Sequence, residues 1–241
     1  MKATPPLVAI AAAVIAGAVV FNVASQPSPL ASRIGPSPVV VELFTSQGCS
    51  SCPPAEELLG RIARDASLRG RVIPLAFHVD YWDHLGWRDP FSSPQWSQRQ
   101  LDYVRAMRLS GAYTPQAVVG GTREFIGSNE RQIFGAIEES SKHASQAKLS
   151  IDGNVARIDA PRELELIALS VENAQTTNVV RGENGGRTLT NYAIVRKLTR
   201  VGAVNGHVER ALPQGTDVVL LQDAKTMIIW AAATAPRTPQ S

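Results

Sequence analysis

The sequence predicts an α/β domain of order β-α-β-α-β-β-α over residues 39–146, followed by an all-β, sandwich-like module over residues 147–234. Three observations carry this. Between residues 39 and 142, short continuous apolar runs alternate with runs of helical spacing. Near residue 147 the pattern changes to short stretches alternating apolar and polar residues, with turn dipeptides between or within them. The chain has 241 residues, 44% hydrophobic and 19% charged, which is enough apolar material for a sizeable core in one or two domains.

Residues 1–32 carry only Lys2 as a charged side chain, and Leu7 to Val23 is continuously apolar apart from Asn22. This reads as a signal peptide, with an N-terminal anchor as the alternative. Pro27, Pro29, Pro36 and Pro38 mark a linker that ends with residues 33–38. The expected location is therefore exported, periplasmic or extracellular, or held at the inner membrane by residues 7–23. That segment is the only expected membrane contact.

Val39 to Phe44 is a buried-strand run, and Leu58, Leu59, Ile62, Ala63 and Ala66 have helical spacing within 55–69. Residues 71–79 form a second strand, which makes the first unit β-α-β with a parallel pair. Residues 80–94 read as a loop and 95–109 as a helix. Gly120-Gly121 turns strand 116–119 into strand 122–126. A helix to about Lys142 follows, with Ser128 as its expected N-cap. Beyond 147, strands are expected over 148–158, 163–171, 179–180, 192–198, 201–208, 217–221 and 227–232, and residues 235–241 form a frayed tail.

Charge narrows the function classes. The 24 basic and 21 acidic residues leave +3, with a pI of about 9.1 and no Lys/Arg run to track phosphates, so nucleic-acid binding is disfavoured. Two cysteines exclude a disulfide-dense scaffold and leave one bond, one metal clip or one redox site.

Those cysteines stand in Cys49-Ser50-Ser51-Cys52, between the first strand and the first helix. Two intervening residues bring the sulfurs within pairing reach. A helix N-terminus stabilises a thiolate, the attacking species in disulfide exchange. Cys49 is expected to be the exposed nucleophile and Cys52 the resolving thiol. Pro53 and Pro54 suit the first helical turn and should push Cys52 out of the αR region. Thr114-Pro115 precedes a strand where a cis proline would face the pair and shape a substrate groove. Asp80, Asp83 and Asp89 are candidate proton-transfer groups in the loop that also holds Trp82 and Trp87, a candidate cap. Glu42, if it points beneath the cysteines, is a further proton acceptor for Cys52. The competing readings are a partner-binding protein with an inert structural disulfide and a copper-binding protein with a metal clip for Cu(I) in which His78 joins Cys49 and Cys52; otherwise no cofactor is expected. His78 in an apolar strand also reads as an ordinary core histidine, and the aromatic loop as simple packing.

The run Glu42-Leu43-Phe44-Thr45-Ser46-Gln47-Gly48-Cys49-Ser50-Ser51-Cys52-Pro53-Pro54-Ala55 resembles domain-of-unknown-function family 1223. So do Phe77 to Asp83, Tyr113 to Gln116 and Gly182 to Leu189, and the likeness covers about residues 39–232. The resemblance implies a secreted protein with a thioredoxin-like fold and brings no established substrate. Ser-Ser between the cysteines and the long segment from Val79 to Thr114 depart from ordinary thioredoxins. Taken together, the expected activity is thiol–disulfide exchange on protein thiols or disulfides of the cell envelope.

Overall fold

The computed structural model describes residues 1–2, 37–143 and 145–235. Apart from residues 1–2, the expected signal or anchor lies outside the described residues, as do most of the linker and all of the tail beyond Ala235. Among the described residues, no helix is long and apolar enough to cross a membrane.

The first strand, β1 (Val39–Thr45), is buried along its whole length, as its continuous apolar run requires. It pairs parallel with β2 (Val72–His78) and antiparallel with β3 (Gln116–Val119), which turns into β4 (Arg123–Ile126). Side chains alternate between two faces. Val39, Val41 and Leu43 pack on α1 (Pro53–Arg64) and α3 (Glu130–Ser141) through Leu58, Leu59, Ile62, Ile133 and Ile137. Val40 and Phe44 pack on the other face against Trp96 and Tyr103 of α2 (Pro94–Met107). The helices are therefore split one and two across the sheet. Asn129, not Ser128, caps α3, its side chain accepting from Gln132 N–H.

The expected separate sandwich is not what the C-terminal half builds. Its strands β5 (Lys148–Asp152), β6 (Val155–Glu172), β9 (Ile194–Ala211), β10 (Val218–Gln222) and β11 (Ile229–Thr234) extend the same sheet. The order is β11-β10-β6-β9-β2-β1-β3-β4, with β5 on β6. The join is narrow: β9 meets β2 in parallel at Ile194 opposite Ala76, with Ala76 N–H donating to Ala193 C=O at 2.7 Å. Strands expected as pairs fuse into the long β6 and β9. Pro161 lacks an N–H and Asn205-Gly206 favours a turn, but the two strands resume pairing with each other past the irregularity between Ala160 and Leu164. Both therefore stay one strand. Their distal halves and β5 enclose a third core with β10 and β11, around Leu149, Ile158, Leu166, Val219 and Leu221. Residues 175–191 form a separate two-stranded hairpin of β7 (Gln175–Asn178) and β8 (Thr188–Asn191). Val179-Val180, expected as a strand, lies in its tip.

Two close packings pin this arrangement. Gly121 has φ +70°, and a Cβ there would stand 2.2 Å from the Met227 carbonyl, so only glycine lets the β3–β4 turn touch the segment before β11. On the α2 face, Glu42 accepts from Arg99 Nε at 2.7 Å, Arg99 Nη2 at 2.8 Å and the Tyr103 hydroxyl at 2.8 Å. Arg99 Nη1 also donates to Gln222 Oε1, tying α2 and β1 to β10. A buried ion pair that loses one partner strands the other charge, at a cost of about 3–5 kcal/mol. Arg99→Met should therefore lower the stability measured by urea unfolding by about that amount. The double variant Arg99→Met, Glu42→Leu should recover much of the loss. Equal losses in single and double variants would show that the pair is not coupled.

Candidate functional site

β1 ends at Thr45 and α1 begins at Pro53, so residues 46–52 make the connection. The turn is tight. Cys49 N–H donates to Ser46 C=O at 3.1 Å, Gly48 N–H to Ser46 Oγ at 3.0 Å and Cys52 N–H to Cys49 C=O at 3.2 Å. Cys49 and Cys52 form a disulfide with their Cα atoms 5.4 Å apart. Cys52 lies in the αR region at φ −76°, ψ −35°, contrary to the pre-proline expectation. Its carbonyl accepts from the N–H groups of both Ala55 and Glu56, and these first helical bonds outweigh the steric bias.

Cys49 was expected to be exposed. Both cysteines have 0% of their surface exposed, and only Ser50 and Ser51 reach solvent. Two elements cover the pair. The first is the tip of the β7–β8 hairpin. Asn184 Nδ2 donates to Gln47 C=O and Cys49 C=O, both at 2.9 Å, and Glu183 Oε2 accepts from Ser50 N–H at 2.9 Å. The second is the loop after β2. Trp87 Nε1 donates to Gln47 Oε1, and a Cβ on Gly48 would lie 3.1 Å from Trp82 Cβ. Trp82 Nε1 in turn donates to Thr114 Oγ1 at 2.9 Å, linking the cysteine loop to the Thr114–Pro115 bond, which is cis.

Beneath the disulfide, on the α1 face, lies a cluster of buried polar groups. Glu56, four residues after Cys52, shares its helical face. Its carboxyl accepts from Thr45 Oγ1 at 2.7 Å and from Asn191 Nδ2 of β8. His78 Nδ1 bonds Asp89 Oδ2 at 2.7 Å, and the same oxygen accepts from Gln47 N–H at 2.8 Å. His78 Nε2 has no partner among the described residues. Gln47 Nε2 donates to Asn191 Oδ1, which closes the network. Burial raises the Glu56 pKa, against the pull of His78 and the hydrogen bonds from Thr45 and Asn191. Burial alone would lower His78, but Asp89 and then Glu56 outweigh it and lift the imidazole above its ordinary value. Asp89 is held low: burial works against its charge, and His78 with the Gln47 and Phe91 N–H groups prevails.

The expected site residues divide accordingly. Cys49, Cys52, Trp82, Thr114 and Pro115 are brought together, and His78 sits nearby, engaged with Asp89. Glu42 is not: it points to the opposite face of the sheet, paired with Arg99, because residue 42 alternates with Leu43 and Val41. Asp80 accepts from Ser97 Oγ, and Asp83 accepts from Asp89 N–H and Ser92 Oγ, so both shape the loop. Sequence reading missed Glu56, Glu183, Asn184 and Asn191. The four-residue step from Cys52 to Glu56 was available as a signal. No local pattern marks Asn191. Among the described residues, no three His, Cys, Asp or Glu side chains are grouped to hold a metal ion.

The class defined so far is a mixed α/β protein built on one large sheet with a covered Cys-x-x-Cys disulfide at a strand–helix junction. Residues 40–231 match the family model described as protein of unknown function (DUF1223), and the chain belongs to that family. No curated protein matches it. Among solved structures, it is similar to a crystal structure from Agrobacterium tumefaciens at 27% identity and a TM-score of 0.70, covering 86% of this chain and 97% of that one. HBP35 of Porphyromonas gingivalis, at 17% identity, shares the fold with a TM-score of 0.55 over 83% of this chain and 75% of its own.

The buried cluster makes stability depend on pH. His78 holds its proton more tightly folded than unfolded, so its contribution is complete below about pH 6.5 and is lost as pH rises through the folded value. Glu56 acts in the same sense from about pH 4.3 upward. Asp89 acts oppositely, contributing above about pH 3.9 and failing in acid. The urea midpoint should fall as pH rises above about 6.5, and in Asp89→Asn the part of that fall due to His78 should vanish. A wild-type midpoint flat from about pH 6 to 9 would show that folding does not raise the His78 pKa.

Proposed function

We propose that this is an exported protein with a thioredoxin-like redox domain that exchanges thiols and disulfides with envelope proteins. The observation that carries this reading is the Cys49–Cys52 pair at the first turn of α1, with a buried carboxyl, Glu56, one turn further along the same helical face. The helix N-terminus favours a thiolate at Cys49. A buried carboxyl whose pKa is raised by burial is better suited than an ordinary carboxylate to exchanging a proton with a neighbouring thiol.

In the reduced protein, Cys49 thiolate attacks one sulfur of a partner disulfide. A mixed disulfide forms and the partner's other sulfur leaves as thiolate. Glu56 carboxylate takes the Cys52 proton, and Cys52 thiolate attacks Cys49 Sγ, expelling the partner's second thiolate. The partner gains two electrons and the protein returns to the disulfide seen here. The reverse sequence oxidises a partner dithiol, and the reduction potential selects between them. The role first assigned to Glu42 thus passes to Glu56.

The full burial of both cysteines favours a second reading, an inert structural disulfide. One titration separates the two. Residues 33–241 are equilibrated in graded glutathione buffers, thiols are trapped by alkylation, and masses are counted. Exchange predicts a reversible two-thiol transition between roughly −120 and −270 mV, whereas a pair still oxidised below about −300 mV is structural. In the exchange case, Glu56→Gln should slow exchange with a model disulfide by about 10²-fold at neutral pH and flatten its pH dependence. An unchanged rate would remove Glu56 from the mechanism.

A further inference from the structure

The β7–β8 hairpin is not needed to complete the main sheet. It forms its own two-stranded ladder, and its neck is closed by Ala193 N–H donating to Asn173 Oδ1. The tip is braced internally, with Val179 N–H bonded to Arg187 C=O, Gly186 N–H to Val179 C=O and Arg187 Nη1 to Asn184 Oδ1 at 2.8 Å. Gly182 (φ +75°) and Gly186 (φ +83°) supply its left-handed turns. A Cβ on Gly182 would come within 3.1 Å of Trp87 Cβ, so the tip lies directly against the other cover. What the tip offers the cysteine loop is specific. Asn184 donates to the two carbonyls flanking Gly48, and Glu183 accepts from the N–H just after Cys49. One donor and one acceptor satisfy the same backbone groups that the N–H and C=O of an approaching chain would satisfy.

We infer that the β7–β8 hairpin is the gate of the cysteine pair, and that Glu183 and Asn184 determine which thiols reach Cys49. This deepens the exchange reading and rests on it in requiring that an external thiol meet Cys49. With the tip seated, Cys49 Sγ is covered. With the tip lifted, Ser50 N–H and the Gln47 and Cys49 carbonyls become docking groups for an extended polypeptide bearing the reacting sulfur. The carboxylate of Glu183 is exposed, and its pKa is held low by the Ser50 N–H and hydroxyl. It therefore places a negative charge at the mouth and disfavours anionic thiols.

The test is the rate at which dithiothreitol reduces the oxidised protein. One dithiothreitol thiolate attacks Cys49 Sγ, breaking the bond to Cys52, which leaves as thiolate and takes a proton. The second dithiothreitol thiolate attacks its own sulfur in the mixed disulfide, releasing cyclic oxidised dithiothreitol and the dithiol protein. A gate predicts a wild-type rate that saturates with dithiothreitol concentration at the opening rate. Asn184→Ala should raise that plateau roughly tenfold per hydrogen bond lost. Glu183→Gln, at an exposed position, should raise it less, and should raise the glutathione rate relative to that of the cationic thiol cysteamine. Thermal melts confirm that both variants fold. If Asn184→Ala does not, Glu183→Gln and amide exchange at Ser50 in the wild type carry the test, and Ser50 N–H should exchange at the plateau rate. A wild-type rate linear in thiol and matched by both variants overturns the gate while leaving exchange intact. A disulfide that none of the thiols opens in any folded form overturns the exchange reading and the gate with it.

Discussion

A strand-to-helix connection that buries a disulfide also buries its own backbone, and every N–H and C=O within it needs a partner. The connection cannot supply these alone, since turn bonds within residues 46–52 engage only part of its polar groups. The remainder come from far along the chain: Asp89 for Gln47 N–H, Glu183 for Ser50 N–H, and Asn184 for the carbonyls of Gln47 and Cys49. The hairpin bonds span 133 to 137 residues of sequence. That requirement ties the second half of the chain to the first. It accounts for a C-terminal region that continues the first sheet and returns a hairpin to the cysteines.

Buried charge is handled differently on the two faces of β1. On the α2 face, Glu42 and Arg99 form a closed pair with Tyr103 and Gln222 completing their hydrogen bonds. A charge so fully compensated is fixed, and its value lies in registering α2 against β1 and β10. On the α1 face, Asp89 and His78 are paired, but Glu56 accepts its hydrogen bonds from neutral donors and, among the described residues, His78 Nε2 has no partner. A cluster with one unmatched proton site changes charge more easily than a matched one. The face under the disulfide is therefore the one equipped to take up or release a proton.

Much of the first half was legible in sequence because its signals are local. The all-apolar β1, the helical spacing of Leu58, Leu59 and Ile62, the Gly120-Gly121 turn and the Cys-Ser-Ser-Cys junction each depend on neighbours a few residues away. The C-terminal half misled because pairing partners override local breakers. Asn205-Gly206 and Pro161 look like ends of strands, yet 18-residue β6 and β9 hold each other through both positions. The site was half legible for the same reason. Cysteine spacing is local, whereas the face on which Glu42 lies depends on strand phase. The roles of Asn184 and Asn191 depend on where a distant hairpin lands.

Coverage of the cysteines bears on whether they react. A disulfide sealed by apolar side chains would be protected by the loss of buried area on opening, and each fully buried large side chain contributes about 1.5–3 kcal/mol. This one is sealed on the hairpin side mainly by hydrogen bonds from two side chains to backbone. Such bonds net only about 0.5–1.5 kcal/mol each, because water replaces them when the cover lifts. Ser50, between the cysteines, and Glu183, on the cover, are already at the surface. Val180, on the tip, is exposed too, while Val179 and Leu189 are buried. A cover made of polar contacts on a small, separately laddered hairpin hides the sulfurs from passing thiols at low cost. On the exchange reading proposed above, it would yield to a partner able to offer the same backbone hydrogen bonds in return.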